Sequence, residues 1–260
     1  MDEHLAAWQV AEFPTRHSEN GVVHTSLNGG ENMRSVLIFI VLAGVIGCQP
    51  AEEPAPTESV ESPMVPASLN AVDVEPDISI VEFENDLVRV IRTRRPAGHK
   101  SKMHTHLPGV YVSLNEDTLG EIGNTFDNAG EEHETENTTD TENHGVMVEL
   151  KVDSGTPVEA PSHDAVVVDG EHHTVEFENK LVRVVRMSYP EGYATPEHNH
   201  YAGVNILLTD IRAASGPESE ESEPAENEAG LVAWADTGEP HITTNLGGEM
   251  QLIRVELKIQ

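Results

Sequence analysis

The sequence predicts an all-β chain made of two tandem copies of one small barrel, residues 75–152 and 168–260. Three observations carry this. First, a segment repeats: Val81–Arg92 and Val175–Arg186 agree at ten of twelve positions, an offset of 94 residues. The same offset takes Gly98 to Gly192, His104 to His198, His106 to His200 and Gly109 to Gly203. Second, the apolar stretches are short and β-branched, as in Val88–Arg92, Val110–Leu114, Val146–Leu150 and Ile253–Leu257, with Gly, Pro, Asn and Asp between them. Third, no long helical period follows residue 72. Aromatic residues are only 4%, so the core must come from Val, Leu and Ile, which suits small β domains.

Downstream the repeat continues with a larger offset. His133-Glu-Thr-Glu-Asn137 faces His241-Ile-Thr-Thr-Asn245, and Val148–Lys151 faces Val255–Lys258, now about 108 residues apart. The second copy therefore carries an insertion, Gly216–Gly230, which is rich in Glu and Ser. Its composition predicts a solvated surface loop, with a functional lid as the alternative. Residues 153–167 read as the linker between the barrels.

The N-terminal third has another character. Residues 33–47 carry one basic residue, Arg34, then an apolar run from Val36 to Ile46 and a small Gly47 before Cys48. This is the layout of a secretory signal peptide, and the run is shorter than the ~18 apolar residues a membrane span needs. Val45-Ile46-Gly47-Cys48 resembles the bacterial lipobox, which implies cleavage before Cys48 and a lipid on its thiol. A generic signal or a buried cysteine is the blander alternative. The chain has one cysteine, so an intrachain disulfide is excluded. Residues 1–32 carry acidic residues unsuited to a signal n-region. They read as an upstream extension, with translation beginning at Met33; a genuine extension is the alternative. Residues 48–74 are rich in Pro, Glu, Ser and Ala and predict a disordered tether. The expected location is the cell envelope, anchored to the membrane at Cys48 and, since Gln49 follows, at the outer membrane facing the periplasm.

The net charge is −31, from 46 Asp and Glu against 15 Lys and Arg. Such a surface repels phosphate backbones, so no nucleic-acid partner is expected.

In extended chain, residues i and i+2 share a face. His104-Thr-His106 and His198-Asn-His200 each present two imidazoles together, and inside a small barrel that face is the lumen. His133 and His241 are the candidates for a third ligand. Three imidazoles with open positions suit Fe, Mn, Ni, Cu or Zn. The fuller second motif marks the second barrel as the more complete site. His99, His144, His163, His172 and His173 lack repeat partners at ligand spacing and read as surface residues. Phe126 and Trp234, seven residues before His133 and His241, read as barrel core. Asn137 and Asn245 read as turn holders.

This pattern resembles the cupin superfamily, whose first motif is Gly, five residues, His-x-His, three or four residues, Glu. Gly98 and Gly192 stand five residues before the two histidine pairs. The second cupin motif is Gly, five residues, Pro-x-Gly, two residues, His, three residues, Asn. Gly230, Gly238, His241 and Asn245 match it, with Asp236 in place of Pro, and Gly130, His133 and Asn137 match it in part. The resemblance covers residues 75–260 and implies two jelly-roll barrels that bind a divalent metal and a small molecule. One departure stands out. Gly109 or Val110, and Gly203 or Val204, occupy the place of the cupin Glu, so the implied ligands are neutral. The family contains oxygenases, isomerases and decarboxylases as well as non-catalytic binding proteins, and fold does not choose among them. A metal-dependent oxygenase or isomerase, a non-catalytic binding module and a structural module with degenerate barrels are all open. Glu197, Tyr111, Tyr201 and Asn205 lie near the histidine pairs without forming a catalytic signature. The oligomeric state is open too.

Overall fold

The computed structural model describes residues 69–218 and 222–260. The upstream extension, the signal segment, Cys48 and the tether to residue 68 lie outside the described residues. Each copy opens on a capped turn. Asn70 caps the one-turn helix α1 (Ala71–Val74), its side chain accepting from Val72 N, and Asp164 caps α2 (Ala165–Val168) in the same way. Both caps form parallel bridges to the residue between the two histidines, Asn70 to Thr105 and Asp164 to Asn199. That residue faces away from the lumen, and its backbone finds its partner there. Ordered structure in each copy thus begins slightly ahead of 75 and 168.

The strands follow in chain order. The first copy has β1 (Ser79–Glu84), β2 (Val88–Arg95), β3 (Gly109–Ser113), β4 (Thr125–Asn128) and β5 (Asn143–Leu150). The second has β6 (His173–Glu178), β7 (Val182–Tyr189), β8 (Gly203–Leu207), β9 (Ile211–Gly216), β10 (Ala225–Asn227), β11 (Val232–Ala235), β12 (Ile242–Asn245) and β13 (Met250–Leu257). The first sheet runs β1-β2-β5-β3-β4 and its counterpart β6-β7-β13-β8-β11, all antiparallel and along the same path. The two-barrel all-β fold expected from the repeat is the fold observed.

The strongly repeated segment is a hairpin. Asn85 Oδ1 accepts from Leu87 N and Val88 N, and Asn179 Oδ1 accepts from Leu181 N and Val182 N, so an Asn holds each turn. Both hairpins carry an irregularity at the same place, between Val81 and Phe83 and between Val175 and Phe177.

Alternation along the strands has a specific use. Val88, Val90, Val110, Val112, Val146 and Val148 join Val182, Val184, Val204, Ile206, Ile253 and Val255 in one buried cluster, so the two sheets pack together through these faces. The alternate residues of the same strands, Arg89, Ile91, Thr93 and Arg95 on β2 and Arg183, Val185, Met187 and Tyr189 on β7, take the opposite faces, toward the lumens. The packing is reciprocal. Arg92 Nη2 donates to Gly230 O at 2.7 Å, and its repeat partner Arg186 Nη2 donates to Gly123 O at 2.5 Å.

The acidic insertion differs from a plain loop. Ala225–Asn227 is a strand, β10, paired with β9, which pairs in turn with β12. β9 is thus paired on both edges, by β12 on one and by the insertion's β10 on the other. Residues 219–221 of the insertion lie outside the described residues. Among the described residues no helix is long and apolar enough to cross a membrane.

Candidate metal centres

The histidine pairs sit just before β3 and β8 in extended backbone that is held by single bridges rather than by a continuous strand. His104 and His133 exchange both backbone hydrogen bonds, 3.0 and 2.9 Å, and His198 and His241 do the same at 2.9 and 2.8 Å. A doubly bonded antiparallel pair sets the two side chains directly opposite each other. This brings the downstream histidine of each copy onto its pair: ring centroids are 4.5 Å apart for His104 and His133, and 4.6 Å for His198 and His241. In the first barrel one ligand atom from each of His104, His106 and His133 lies within 4.8 Å of the others.

What lies behind each ring settles its tautomer. His104 Nδ1 is 2.7 Å from Lys102 O, His133 Nδ1 is 2.9 Å from Glu131 O, and His106 Nδ1 is 3.0 Å from Glu149 Oε1. In the second barrel His198 Nδ1 is 2.8 Å from Pro196 O, His241 Nδ1 is 3.3 Å from Glu239 O, and His200 Nδ1 is 3.0 Å from Glu256 Oε1. Carbonyls and carboxylates accept, so every Nδ1 carries the proton and every Nε2 keeps its lone pair. This arrangement orients metal ligands.

The two glutamates are the site residues that sequence reasoning missed. Glu149 on β5 and Glu256 on β13 are fully buried. Each is clamped by a repeat-equivalent arginine, Arg89 Nη2 at 2.6 Å and Arg183 Nε at 2.6 Å. Arg183 is itself held by both oxygens of Asp164 at 2.8 Å. A signal existed: Arg89 and Glu149 recur as Arg183 and Glu256, each between two apolar residues of its strand, where a charge is costly unless paired. Counted from His106 and His200, the motif's acidic position falls on Val110 or Tyr111 and on Val204 or Asn205, one place beyond the glycines. Val110 and Val204 are fully buried in the core between the sheets. Tyr111 lines the first cavity and Asn205 Oδ1 accepts from Arg254, so neutral side chains stand where the motif has a carboxylate.

His173 corrects the surface reading. It is 1% exposed because it opens β6 over the lumen, with its ring 5.0 Å from that of His198 and 5.6 Å from that of His200. In the second barrel the three histidines whose ligand atoms lie within 4.8 Å of one another are His173, His198 and His200, with His173 in the place expected for His241; His241 stays beside them, its ring 4.6 Å from that of His198 and 5.9 Å from that of His200. Nothing in the repeat pointed to His173, since Ser79 stands at its place in the first copy. Both its nitrogens have partners: Nδ1 donates to Asp169 O at 3.0 Å, and Nε2 accepts from the Tyr189 hydroxyl at 2.7 Å. Of the other histidines read as surface, His163 is exposed, while His99, His144 and His172 are half-buried and pair with Glu75, Arg92 and Asp169.

The lumens differ in filling. The first opens to a cavity of about 440 Å³ lined by His106, His133, Arg95, Tyr111, Phe126 and Met147, among others. Phe126, read as core, therefore lines a cavity. Trp234 packs between the barrels, 6.0 Å from Phe83. In the second barrel Tyr189 and Arg254 replace Arg95 and Met147, and the space is bonded internally. Arg254 donates to Asn205 Oδ1 at 2.8 Å and to Tyr201 O at 2.6 Å.

Burial sets the protonation states. It lowers His104 and His198, and it brings His173 and His241 down to about 4. His200 is held well below its usual value by burial first and the Arg254 charge second. Neutral imidazoles with a free lone pair are the form that binds metal. Asn137 and Asn245 hold turns as expected: each Nδ2 donates to three carbonyls, among them Pro96 O and Pro190 O of the turns at Gly98 and Gly192.

No family model matches the sequence, and no curated protein matches it. Among solved structures the chain is similar to a cupin domain from Bordetella pertussis Tohama I, at 20% identity over 39% of this chain and 98% of that one, with a TM-score of 0.31. It is similar to the oxalate decarboxylase of Lactobacillus farciminis in its formate complex, at 9% identity over 70% and 80%, TM-score 0.47. It is also similar to a salicylate 1,2-dioxygenase from Pseudaminobacter salicylatoxidans, at 9% identity over 66% and 71%, TM-score 0.44.

Proposed function

We propose that this chain is a divalent-metal-binding protein of the bacterial envelope, in which the first barrel is where the metal meets a small-molecule ligand. One observation carries the metal: the convergent imidazoles of both barrels have their Nδ1 atoms tied back, leaving the Nε2 lone pairs free. The donor set suits Fe, Mn, Ni, Cu or Zn, and a Zn–imidazole bond is about 2.0–2.1 Å. His104, His106 and His133 would hold the ion in the first barrel, and His198, His200 and His241 in the second. A bound ion supplies Lewis acidity, or redox chemistry if it is Fe, Mn or Cu. Everything else comes from the chain. Glu149 and Glu256 fix the orientation of His106 and His200, while Phe126 and Met147 give the first cavity apolar walls.

The cavity beside the first triad favours a second reading, a metal-dependent oxygenase or isomerase acting on a small metabolite. The bonded lumen of the second barrel suits a structural or purely binding role. Lipidation at Cys48 would anchor the chain at the outer membrane, facing the periplasm.

The test is metal content by elemental analysis after purification without chelator, followed by titration with Mn, Fe, Ni, Cu and Zn. Up to two ions per chain are expected. His104→Ala or His133→Ala should empty the first barrel alone, and His198→Ala or His241→Ala the second alone. A wild type that takes up none of these ions overturns the metal reading.

A further inference from the structure

Arg95 has no counterpart in the second barrel, where Tyr189 stands at its repeat position. It is 4% exposed and lines the first cavity together with His106 and His133. Its Nε and Nη1 are buried without a hydrogen-bond partner among the described residues. No carboxylate pairs with it there, unlike Arg89, which Glu149 clamps at 2.6 Å. The neighbouring Tyr111 hydroxyl, close to Arg95 and Thr93, is likewise buried without a bond of proper geometry. A buried guanidinium with unmet donors is destabilising unless an anion arrives. Both side chains line a cavity that His106 and His133 also line.

We infer that the cavity of the first barrel is a receptor for a small organic monocarboxylate, with Arg95 and Tyr111 binding the carboxylate and the histidine side receiving the rest of the molecule. This rests on the first barrel being the ligand site of the proposed function. The chemistry of the walls narrows the class. A guanidinium matches a carboxylate in a two-point geometry. Phe126 and Met147 offer apolar surface to a short carbon skeleton, and about 440 Å³ limits it to a small molecule. The rim carries exposed Asp127, Glu131 and Glu132, which repel dianions such as phosphate more than monoanions. The second barrel offers no equivalent. Its luminal cation, Arg254, has Nη1 bonded to Asn205 and Nη2 to Tyr201, and its Nε, though without a hydrogen bond, has the Glu256 carboxylate 3.7 Å away.

Isothermal titration of the full chain with propionate and benzoate, against propionamide, benzamide and inorganic phosphate, tests this, with bound metal measured in the same samples. The wild type should prefer each carboxylate over its amide by about tenfold or more, the scale of a charge-assisted bond, and should bind phosphate more weakly. Arg95→Met should abolish that preference with metal content unchanged. Arg94→Met, an exposed neighbour paired with Glu142, should preserve it. Metal-loaded wild type that does not discriminate, or discrimination that survives Arg95→Met, or tighter binding of phosphate, overturns the receptor and leaves the metal reading intact. Discrimination in a protein that takes no metal supports the receptor and removes the metal reading instead.

Discussion

Replacing Glu149 by Leu should separate what the buried carboxylate does for folding from what it does for the site. Glu149 is fully buried and accepts from Arg89 Nε at 2.7 Å, His106 Nδ1 at 3.0 Å and Leu107 N at 3.2 Å. The Arg89 side chain is only 14% exposed, so the variant leaves a nearly buried cation without its partner. Breaking such a pair from one side costs about 3–5 kcal/mol, a large fraction of a stability of roughly 5–15 kcal/mol. The double variant Arg89→Met/Glu149→Leu removes the stranded charge as well, and should recover most of that loss. Its metal affinity should not recover, because His106 Nδ1 still lacks its acceptor; loss of such a partner weakens a site about 10- to 100-fold. Urea unfolding of metal-free protein reads the stability, and competition with a chromophoric chelator reads the first-barrel affinity in a His198→Ala background. A double variant that regains stability and binds metal as tightly as its parent would refute the orienting role of Glu149.

Three further outcomes follow from the same geometry. Metal-free protein should lose stability as pH falls from about 6.5 toward 4. His173 and His241 are held down to about 4 by burial and His104 and His198 are also lowered, so the unfolded chain, with His near 6.5, binds more protons in that window. The stability is fully present above pH 6.5, and a flat unfolding midpoint between pH 7 and 5 would contradict it. Gly109→Ala should destabilise far more than Gly98→Ala: the first Cβ meets Val148 O at 2.1 Å, while the second meets nothing within 4 Å and pays only for φ +70°, about 1–2 kcal/mol. Equal thermal shifts for the two would argue against the close approach of β3 and β5. Tagged fatty acid should label the wild type and not Cys48→Ala, and equal labelling of both would end the anchor proposal.

The sequence by itself determined the repeat, the all-β class, the turns held by Asn137 and Asn245 and the three histidines that meet in the first barrel. These are local or periodic properties: a two-residue alternation puts His104 and His106 on one face, and duplication writes each signal twice. Its limits fell where repeat symmetry breaks or where partners lie far apart in the chain. Glu149 reaches His106 across 43 residues, and only the β5–β3 pairing brings them together. His173 and Ser79 share one position, so neither marks the other, and only the approach of β6 to β7 buries the imidazole beside His198. The filling of the lumens was likewise a tertiary decision. Arg95 and Tyr189 occupy equivalent strand positions, yet the first is left with unmet donors facing a cavity and the second is bonded to a histidine. What surrounds a side chain across strands decides that difference, and its identity alone does not.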